Sequence, residues 1–202
     1  PWASPSGSAS CGGPAATKSE LRALIAQQVA ALPPDYCREA DGAICRHVLD
    51  WEVYRQAKAV FCYVGTDREI DTRPILRDAL DRGKVLAVPL CVAKGVMEAR
   101  QIRSLENLVP GKYGILEPGP DCPLVAPEAL DLALVPCSTG SRSGRRLGYG
   151  GGYYDRFLPR TTCPKALLCR GRLVREDIPT EDHDQLMDIL VTEEGLTSCR
   201  GE

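Results

Sequence analysis

The sequence Asp131-Leu-Ala-Leu-Val-Pro136, followed further on by Arg146-Leu-Gly-Tyr-Gly-Gly-Gly-Tyr-Tyr-Asp-Arg-Phe-Leu158, sets a short apolar run ahead of a glycine-rich loop. The apolar run predicts a buried strand over residues 131–135, and the end of the second stretch predicts a short helix from residue 153. A strand, a loop and a helix in this order form a unit of α/β sheets, which bind ligands at the carboxyl ends of their strands. The two stretches therefore predict an α/β fold with a ligand site at the glycine loop.

Helical spacing and short apolar runs alternate along the rest of the chain. Thr17 is expected to cap the first helix, with Glu20 completing a capping box. Pro89 is expected to end a strand, and the Gly- and Pro-rich residues 108–127 predict loops. The helices are predicted at residues 17–32, 35–49 and 72–82, and the further strands at 59–64, 84–88, 96–102, 165–169 and 187–191. This alternation predicts a sheet with helices on both faces.

Composition and charge exclude several classes of protein. The chain has 202 residues, of which 44% are apolar and 26% charged, and this suits one globular domain. We expect that domain at residues 17–202, after a flexible tail at residues 1–16 that lacks the apolar segment of a signal peptide. A net charge of −2 argues against nucleic acid as a partner. The sequence contains no run of roughly 18 apolar residues, so no membrane span is predicted.

Ten cysteines are distributed along the chain without any Cys-x-x-Cys pair, so a zinc ribbon or a thioredoxin-like site is not expected. Several lie inside apolar runs, such as Cys62, where cysteine behaves as a small buried hydrophobe. We therefore expect reduced and mostly structural thiols, and with no secretion signal this favours the cytoplasm.

The glycine loop has the chemistry of an anion cradle. Glycines let backbone N–H groups approach a phosphate, and Arg145 and Arg146 can add charge-assisted contacts. Asp155, at the start of the predicted helix, can hold Mg²⁺. The pattern is neither a P-loop nor the dinucleotide-binding fingerprint. On composition alone, a flexible turn with packing tyrosines is an equal interpretation.

The same string resembles the signature of the 5-formyltetrahydrofolate cyclo-ligase family, also called methenyltetrahydrofolate synthetases. The resemblance extends from about residue 18 to about residue 192. The other segments similar to family motifs are Lys18-Ser-Glu-Leu-Arg22, Glu69-Ile-Asp-Thr72, Gly114-Ile-Leu-Glu-Pro118, Asp131-Leu-Ala-Leu-Val-Pro136, and Ile178-Pro-Thr-Glu-Asp-His-Asp184 with Met187-Asp188.

This resemblance implies a three-layer α/β/α sandwich around a mostly parallel, Rossmann-like sheet of the NagB, RpiA and CoA-transferase type. It implies a ligase that uses ATP and Mg²⁺ to convert 5-formyltetrahydrofolate into 5,10-methenyltetrahydrofolate, with release of ADP and phosphate. ATP would phosphorylate the formyl oxygen, and N10 of the folate would then attack the activated carbon. The implied partners are ATP and the folate, with or without a polyglutamate tail, and we expect a monomer.

The resemblance also implies site residues, although it singles out none as catalytic. Those implied to bind ATP are Lys18, Arg22, Arg146, Leu147, Gly148, Tyr149, Gly150, Gly151, Gly152, Tyr153 and Tyr154. Those implied to bind the folate are Val64 and Glu69 together with Tyr149, Gly150, Gly151, Gly152 and Tyr153. Asp155 and Asp184 are implied to hold Mg²⁺. Without the resemblance, Lys18 and Arg22 would be interpreted as a solvated surface pair, Glu69 as a loop acid and Asp184 as a turn residue.

Two segments depart from the family pattern. The family usually has Pro-Gly and then a Phe-Asp pair before the glycine loop, whereas here Gly140 and Ser141 occupy the aromatic and acidic positions. It also tends to have a Phe and a Gln in the segment that contains Arg172 here. A folate- or nucleotide-binding relative with weakened turnover therefore stays an alternative. A sugar-phosphate isomerase or CoA-transferase-like protein is disfavoured, because no acid/base pair for isomerisation is evident.

Overall fold

The chain is described by a computed structural model over residues 16–111 and 114–199. The helices are α1 Lys18–Ala31, α2 Pro34–Leu49, α3 Glu52–Gln56, α4 Arg73–Asp81 and α5 Tyr153–Phe157. The strands are β1 Ala59–Cys62, β2 Val85–Ala93, β3 Val96–Ile102, β4 Leu108–Pro110, β5 Leu116–Pro118, β6 Leu124–Val125, β7 Leu132–Val135, β8 Thr139–Gly140, β9 Arg146–Leu147, β10 Lys165–Leu168, β11 Ile189–Thr192 and β12 Gly195–Ser198.

Eight strands form one sheet in the order β12-β11-β10-β7-β1-β2-β3-β6. The five central strands, from β11 to β2, are parallel, and the outer strands join them antiparallel. The direction in which the chain adds parallel strands reverses between β1 and β7. Ligands bind outside the carboxyl ends of the strands at such a reversal. The mostly parallel sheet is confirmed, and its topology points to the loops after β1 and β7.

Alternate residues of each central strand face two separate cores, which confirms helices on both sides of the sheet. Val60 and Cys62 of β1 pack into the core that α2, α3 and α4 cover. Phe61 faces the other way and stacks on Phe157 of α5, with ring centroids 5.1 Å apart. Both faces of the strands are buried, and this explains the continuous apolar runs in the sequence.

Helix α1 confirms the predicted cap at Thr17, whose hydroxyl oxygen accepts a hydrogen bond from the N–H of Glu20 at 3.1 Å. The Glu20 carboxylate accepts from the Thr17 hydroxyl instead of reaching the cap backbone, so the capping box differs from the expected one. Leu21 and Ile25 form a small third core with Leu147 and Ile178. Through this core, α1 is held against the strand that leads into the glycine loop.

The strand end predicted at Pro89 is wrong, because β2 continues to Ala93. The pairing of β2 with β1 reaches only Ala87, and beyond it β2 pairs with β3 alone. Beyond Ala87, one edge of β2 therefore has no partner strand in the described part of the chain. A proline whose missing N–H would lie on that edge costs no hydrogen bond between strands. The short strands β4 to β6 lie in the predicted loop region, and α3 and β12 were not predicted. The predicted tail at residues 1–16 lies outside the described residues except for Ala16.

In the part of the chain that the structure describes, no helix is both long and apolar enough to cross a membrane. The nine cysteines within it are free thiols, and five of them are buried.

Candidate active site

Two neighbouring cavities lie at the carboxyl ends of the central strands. The apolar cavity has a volume of about 420 Å³, and its lining includes Tyr63, Glu69, Cys137, Tyr149, Cys169 and Arg170. The glycine-loop cavity, of about 270 Å³, is lined by the loop and by α1. Arg22 and Tyr149 line both cavities. Ligands in the two cavities would therefore meet at these two side chains.

The glycine loop is anchored at its start and along its middle. At its start, the β8–β9 hairpin pairs Gly140 with Arg146. Gly150 has a φ of 100°, and a Cβ on it would lie 3.4 Å from the Arg22 guanidinium. The carbonyl of Gly148 accepts a hydrogen bond of 2.8 Å from Nε of Arg22. These contacts fix the loop against α1, and the positive φ explains the glycine at position 150.

Arg146 is fixed under the loop. Its Nε donates a hydrogen bond of 2.7 Å to the carbonyl of Pro136, and its guanidinium carbon lies 4.7 Å from the centre of the Tyr154 ring. Stacking of this kind holds the planar guanidinium in one orientation. These two contacts therefore orient the remaining N–H groups of Arg146 before any ligand binds.

Lys18 and Asp184 form an ion pair in the glycine-loop cavity. Nζ of Lys18 lies 3.0 and 2.7 Å from the two carboxylate oxygens. Partial burial tends to raise the pKa of Asp184, but the hydrogen bonds from Lys18 and from the N–H of Glu181 outweigh it, so the pKa falls below its usual value. Asp184 is therefore ionised at neutral pH, as a metal ligand must be.

Carboxylates gather on one wall of this cavity. Ligand atoms of Glu181, His183 and Asp184 lie within 4.8 Å of one another. Asp155 lines the same cavity, and its Oδ1 accepts a hydrogen bond of 3.3 Å from the N–H of Gln185. Asp155 thus holds the loop that carries Asp184. The donor set is oxygen-rich, and this fits a hard cation such as Mg²⁺.

Glu69 lies in the wall of the apolar cavity, on the loop after β1. Its Oε1 accepts from the N–H of Thr66 at 3.2 Å, and its Oε2 lies 3.2 Å from the Tyr149 hydroxyl, which lies 2.9 Å from the carbonyl of Cys137. Burial raises the pKa of Glu69 against the lowering effect of these hydrogen bonds and of Arg146. Glu69 therefore keeps its proton to a higher pH than an exposed glutamate does.

A buried ion pair supports the Glu69 loop from below. Arg170 follows β10 and is only 5% exposed, and its guanidinium binds the Asp41 carboxylate at 2.8 and 3.0 Å. It also donates to the carbonyl of Glu69 at 3.2 Å, while Asp41 accepts from the N–H of Asp71. Sequence reasoning missed this pair. In the sequence, each partner alone resembles a charged residue exposed to solvent. The one sign that Arg170 could belong to the site was its position just after a predicted strand.

The raised pKa of Glu69 should make the free energy of unfolding depend on pH. An acid whose folded pKa lies above its unfolded pKa binds more protons in the folded state between the two values, so the free energy of unfolding falls as pH rises through that window. For Glu69 the window opens at the ordinary value of 4.5 and extends upward. We expect wild type to lose stability relative to Glu69→Gln across this window, as measured by urea unfolding at a series of pH values. The exposed Glu39→Gln variant is the control, and a pH-independent difference between wild type and Glu69→Gln would contradict the assignment.

The structure brings all the residues assigned to ATP around the glycine-loop cavity. Of the residues assigned to the folate, Glu69 and Tyr149 line the apolar cavity. Residues 150–153 line the glycine-loop cavity and not the apolar one. Val64 lines neither and faces a third cavity of about 610 Å³ next to Glu69. Their binding roles stay predictions.

The three residues that depart from the family pattern line neither cavity themselves. Their near neighbours Ser138 and Leu173 line the apolar cavity, so both departing segments border it. Ser141 is fully buried, and its hydroxyl accepts a hydrogen bond of 2.9 Å from the N–H of Arg145, closing the β8–β9 turn. Gly140 packs on Leu167, which a Cβ at that position would meet at 2.3 Å. The Arg172 guanidinium stacks on Tyr36 of α2 at 3.9 Å. All three therefore have structural contacts that account for them.

Comparisons with known proteins agree on one family. The family model described as "5-formyltetrahydrofolate cyclo-ligase family" matches residues 14–193. A probable 5-formyltetrahydrofolate cyclo-ligase of Schizosaccharomyces pombe is 28% identical over 88% of this chain and 95% of its own length. The mitochondrial 5-formyltetrahydrofolate cyclo-ligase of Arabidopsis thaliana is 31% identical over 89% of this chain and 75% of its own. The solved structure of Aquifex aeolicus 5,10-methenyltetrahydrofolate synthetase superimposes with a TM-score of 0.81 at 28% identity, covering 92% of this chain and 94% of that one. The chain thus belongs to the 5-formyltetrahydrofolate cyclo-ligase family of ligases.

Proposed function

We propose that the protein converts 5-formyltetrahydrofolate into 5,10-methenyltetrahydrofolate at the expense of ATP, with Mg²⁺ as cofactor. The observation that carries this proposal is the junction of the two cavities at Arg22 and Tyr149. A polar, glycine-lined cavity suits a triphosphate, and an apolar cavity with a few polar groups suits a pterin. A reaction between the two ligands requires the cavities to meet.

The chain supplies several groups for the phosphates. Lys18 has three N–H donors, so it can contact a phosphate without leaving Asp184. Arg22 and Arg146 are held by backbone carbonyls through Nε, which leaves their terminal nitrogens for phosphate oxygens. These cations would neutralise the charge of the transferring phosphoryl group, which is the main task of a phosphoryl-transfer site.

Asp155 and Asp184 are the residues that we assign to Mg²⁺, with Glu181 and His183 beside them. When bound, the ion would supply charge neutralisation on the phosphates. The low pKa of Asp184 and the oxygen-rich donor set fit this assignment.

The folate end depends on Glu69 and Tyr149. As a carboxylate, Glu69 can accept hydrogen bonds from the donor edge of a pterin. Its raised pKa favours the acid form, which can also donate one to the acceptor edge. Its bond with Tyr149 would direct the carboxyl group into the cavity. Apolar groups of α1, including Ile25 and Val29, would cover the ring and exclude water.

The proposed reaction has two steps. The formyl oxygen attacks the γ-phosphorus and ADP leaves, which turns a poor leaving group into a good one. N10 then attacks the formyl carbon and loses its proton as the carbon–oxygen bond breaks and phosphate departs. The chain's contribution is to orient the two substrates and to neutralise charge.

Formation of methenyltetrahydrofolate, followed by absorbance, tests the proposal. We expect product only when 5-formyltetrahydrofolate, ATP and Mg²⁺ are all present, with ADP and phosphate released in equal amounts. Product without ATP would overturn the mechanism. Tight folate binding by calorimetry without any product would instead favour the binding relative with weakened turnover. Cytoplasmic location, a monomeric state and acceptance of polyglutamate tails stay predictions.

A further inference from the structure

Two thiols meet in the wall of the apolar cavity. Cys137 follows β7 and Cys169 follows β10, and both line the cavity. The parallel register pairs Ala133 with Lys165 and Val135 with Leu167. Continued by one pleat, this register sets Cys137 opposite Cys169, with both side chains on the same face of the sheet.

The geometry of neighbouring strands suits a disulfide. Paired residues on adjacent strands lie about 4.8 Å apart, within the span of roughly 4.4–6.8 Å between the Cα atoms of a disulfide. Cys137 packs against the buried core to which Cys169 belongs, and the two thiols interact. Both sulfurs also have weak backbone acceptors, at 3.5 Å on Leu168 for Cys137 and at 3.4 Å on Arg170 for Cys169. Closing the bond would replace these two contacts.

We propose that Cys137 and Cys169 form a modification site, at which hydrogen peroxide converts the thiol pair into a disulfide that weakens folate binding. In the first step, one sulfur attacks peroxide, becoming a sulfenic acid as a first water is released. The second thiol then attacks that sulfur, the S–S bond forms, and a second water carries away the oxygen. Two thiols are oxidised and one peroxide is reduced, and a thiol reductant reverses the change.

The effect on the folate would pass through Tyr149. Its hydroxyl lies 2.9 Å from the carbonyl of Cys137 and 3.2 Å from Glu69. Closing the S–S bond would remove the thiol hydrogen that now reaches Leu168 and draw the main chain of Cys137 toward Cys169. The carbonyl that holds the Tyr149 hydroxyl would shift with it, and the tyrosine would lose its position at the folate. The loss of one well-placed hydrogen bond costs about tenfold in affinity. This part of the proposal rests on the proposed function.

The reaction is expected to be slow at neutral pH. The contact with Cys169 and then burial raise the pKa of Cys137 well above its usual range, so its thiol keeps its proton. Peroxide reacts with thiolates. Mildly alkaline buffer and long exposure are therefore the conditions of choice.

Mass spectrometry without reduction tests whether the bond forms. Trypsin cuts after Lys165 and Arg170, which releases Cys169 on a five-residue peptide, and Cys137 lies in the peptide 113–142 with Cys122. We expect these two peptides to be linked after peroxide treatment, with fragmentation assigning the link to Cys137. Cys137→Ser and Cys169→Ser should abolish the link, and Cys91→Ser, at an exposed thiol elsewhere, should retain it. No linked peptide in the oxidised protein, or a link through Cys122, would overturn the site.

Calorimetry with 5-formyltetrahydrofolate tests the consequence. Oxidised wild type and oxidised Cys91→Ser should bind about tenfold more weakly than their reduced forms, and dithiothreitol should restore them. Cys137→Ser and Cys169→Ser, each compared with its own reduced form, should not change. A linked protein with unchanged affinity would refute the effect on binding. No binding by the reduced protein would refute the proposed function, while the linked peptide would still decide the modification site.

Discussion

Lys18→Met is expected to lower kcat/KM for ATP by about 100- to 1000-fold, the usual cost of removing one preorganised charge-stabilising donor from a phosphoryl-transfer site. The substitution removes the cation and keeps the length of the stem. It also leaves the Asp184 carboxylate without the partner that lowers its pKa, so the pKa should rise. The variant should therefore lose more activity than wild type loses as the pH falls. Steady-state kinetics over a pH series measures both effects.

Two control variants test whether the loss of activity is due to the missing charge at position 18. Lys18→Arg keeps the charge and should recover part of the activity, although its planar fork differs from an ammonium group. Lys94→Met removes an exposed lysine of the β2–β3 turn and should behave as wild type. If Lys18→Met matched Lys94→Met in ATP kinetics and in pH profile, Lys18 would be an ordinary partner of Asp184.

Gly144→Ala is expected to lower the free energy of unfolding by about 3 kcal/mol. Gly144 has a φ of 91°, and a Cβ there would lie 2.6 Å from the backbone carbonyl oxygen of Met187. The left-handed conformation alone costs an alanine about 1–2 kcal/mol, and overpacking against backbone adds about 1–3 kcal/mol. The N–H of Met187 donates to the carbonyl of Gly144 at 2.8 Å, so neither segment can retreat without losing a hydrogen bond.

Gly83→Ala separates the two contributions. Gly83 has a φ of 72°, and a Cβ there would meet nothing within 4 Å, so only the conformational cost applies. Urea unfolding should show a loss of about 1 kcal/mol for this control and a clearly larger loss for Gly144→Ala. Equal losses would mean that the chain near Met187 absorbs the contact by a small shift.

Local patterns predicted the parts of the fold that local interactions build. The apolar spacing in α1 and α4 and the continuous apolar runs of β1 and β7 gave the right element types, since each run buries one or both faces. The β8–β9 hairpin was not predicted. Each of its strands has two residues, too few to show any periodicity.

The glycine-loop cavity could be anticipated because most of its lining is contiguous in sequence. The buried ion pair of Arg170 and Asp41 could not be anticipated. The two residues are 129 positions apart, and charged residues give no sign in the sequence of a buried partner. The meeting of Cys137 and Cys169 likewise depends on the register between two strands, which the sequence alone does not reveal.

The contacts of α1 bear on how the site forms during synthesis. Arg22 reaches Gly148 across 126 positions of the chain, and Lys18 reaches Asp184 across 166. A growing chain emerges from its amino-terminal end, so α1 is made well before its partners. The glycine-loop cavity is therefore incomplete in a nascent chain that ends before Asp184. During most of its synthesis, the polypeptide would expose the inner face of α1, with Leu21 and Ile25, to the surrounding solvent and chaperones.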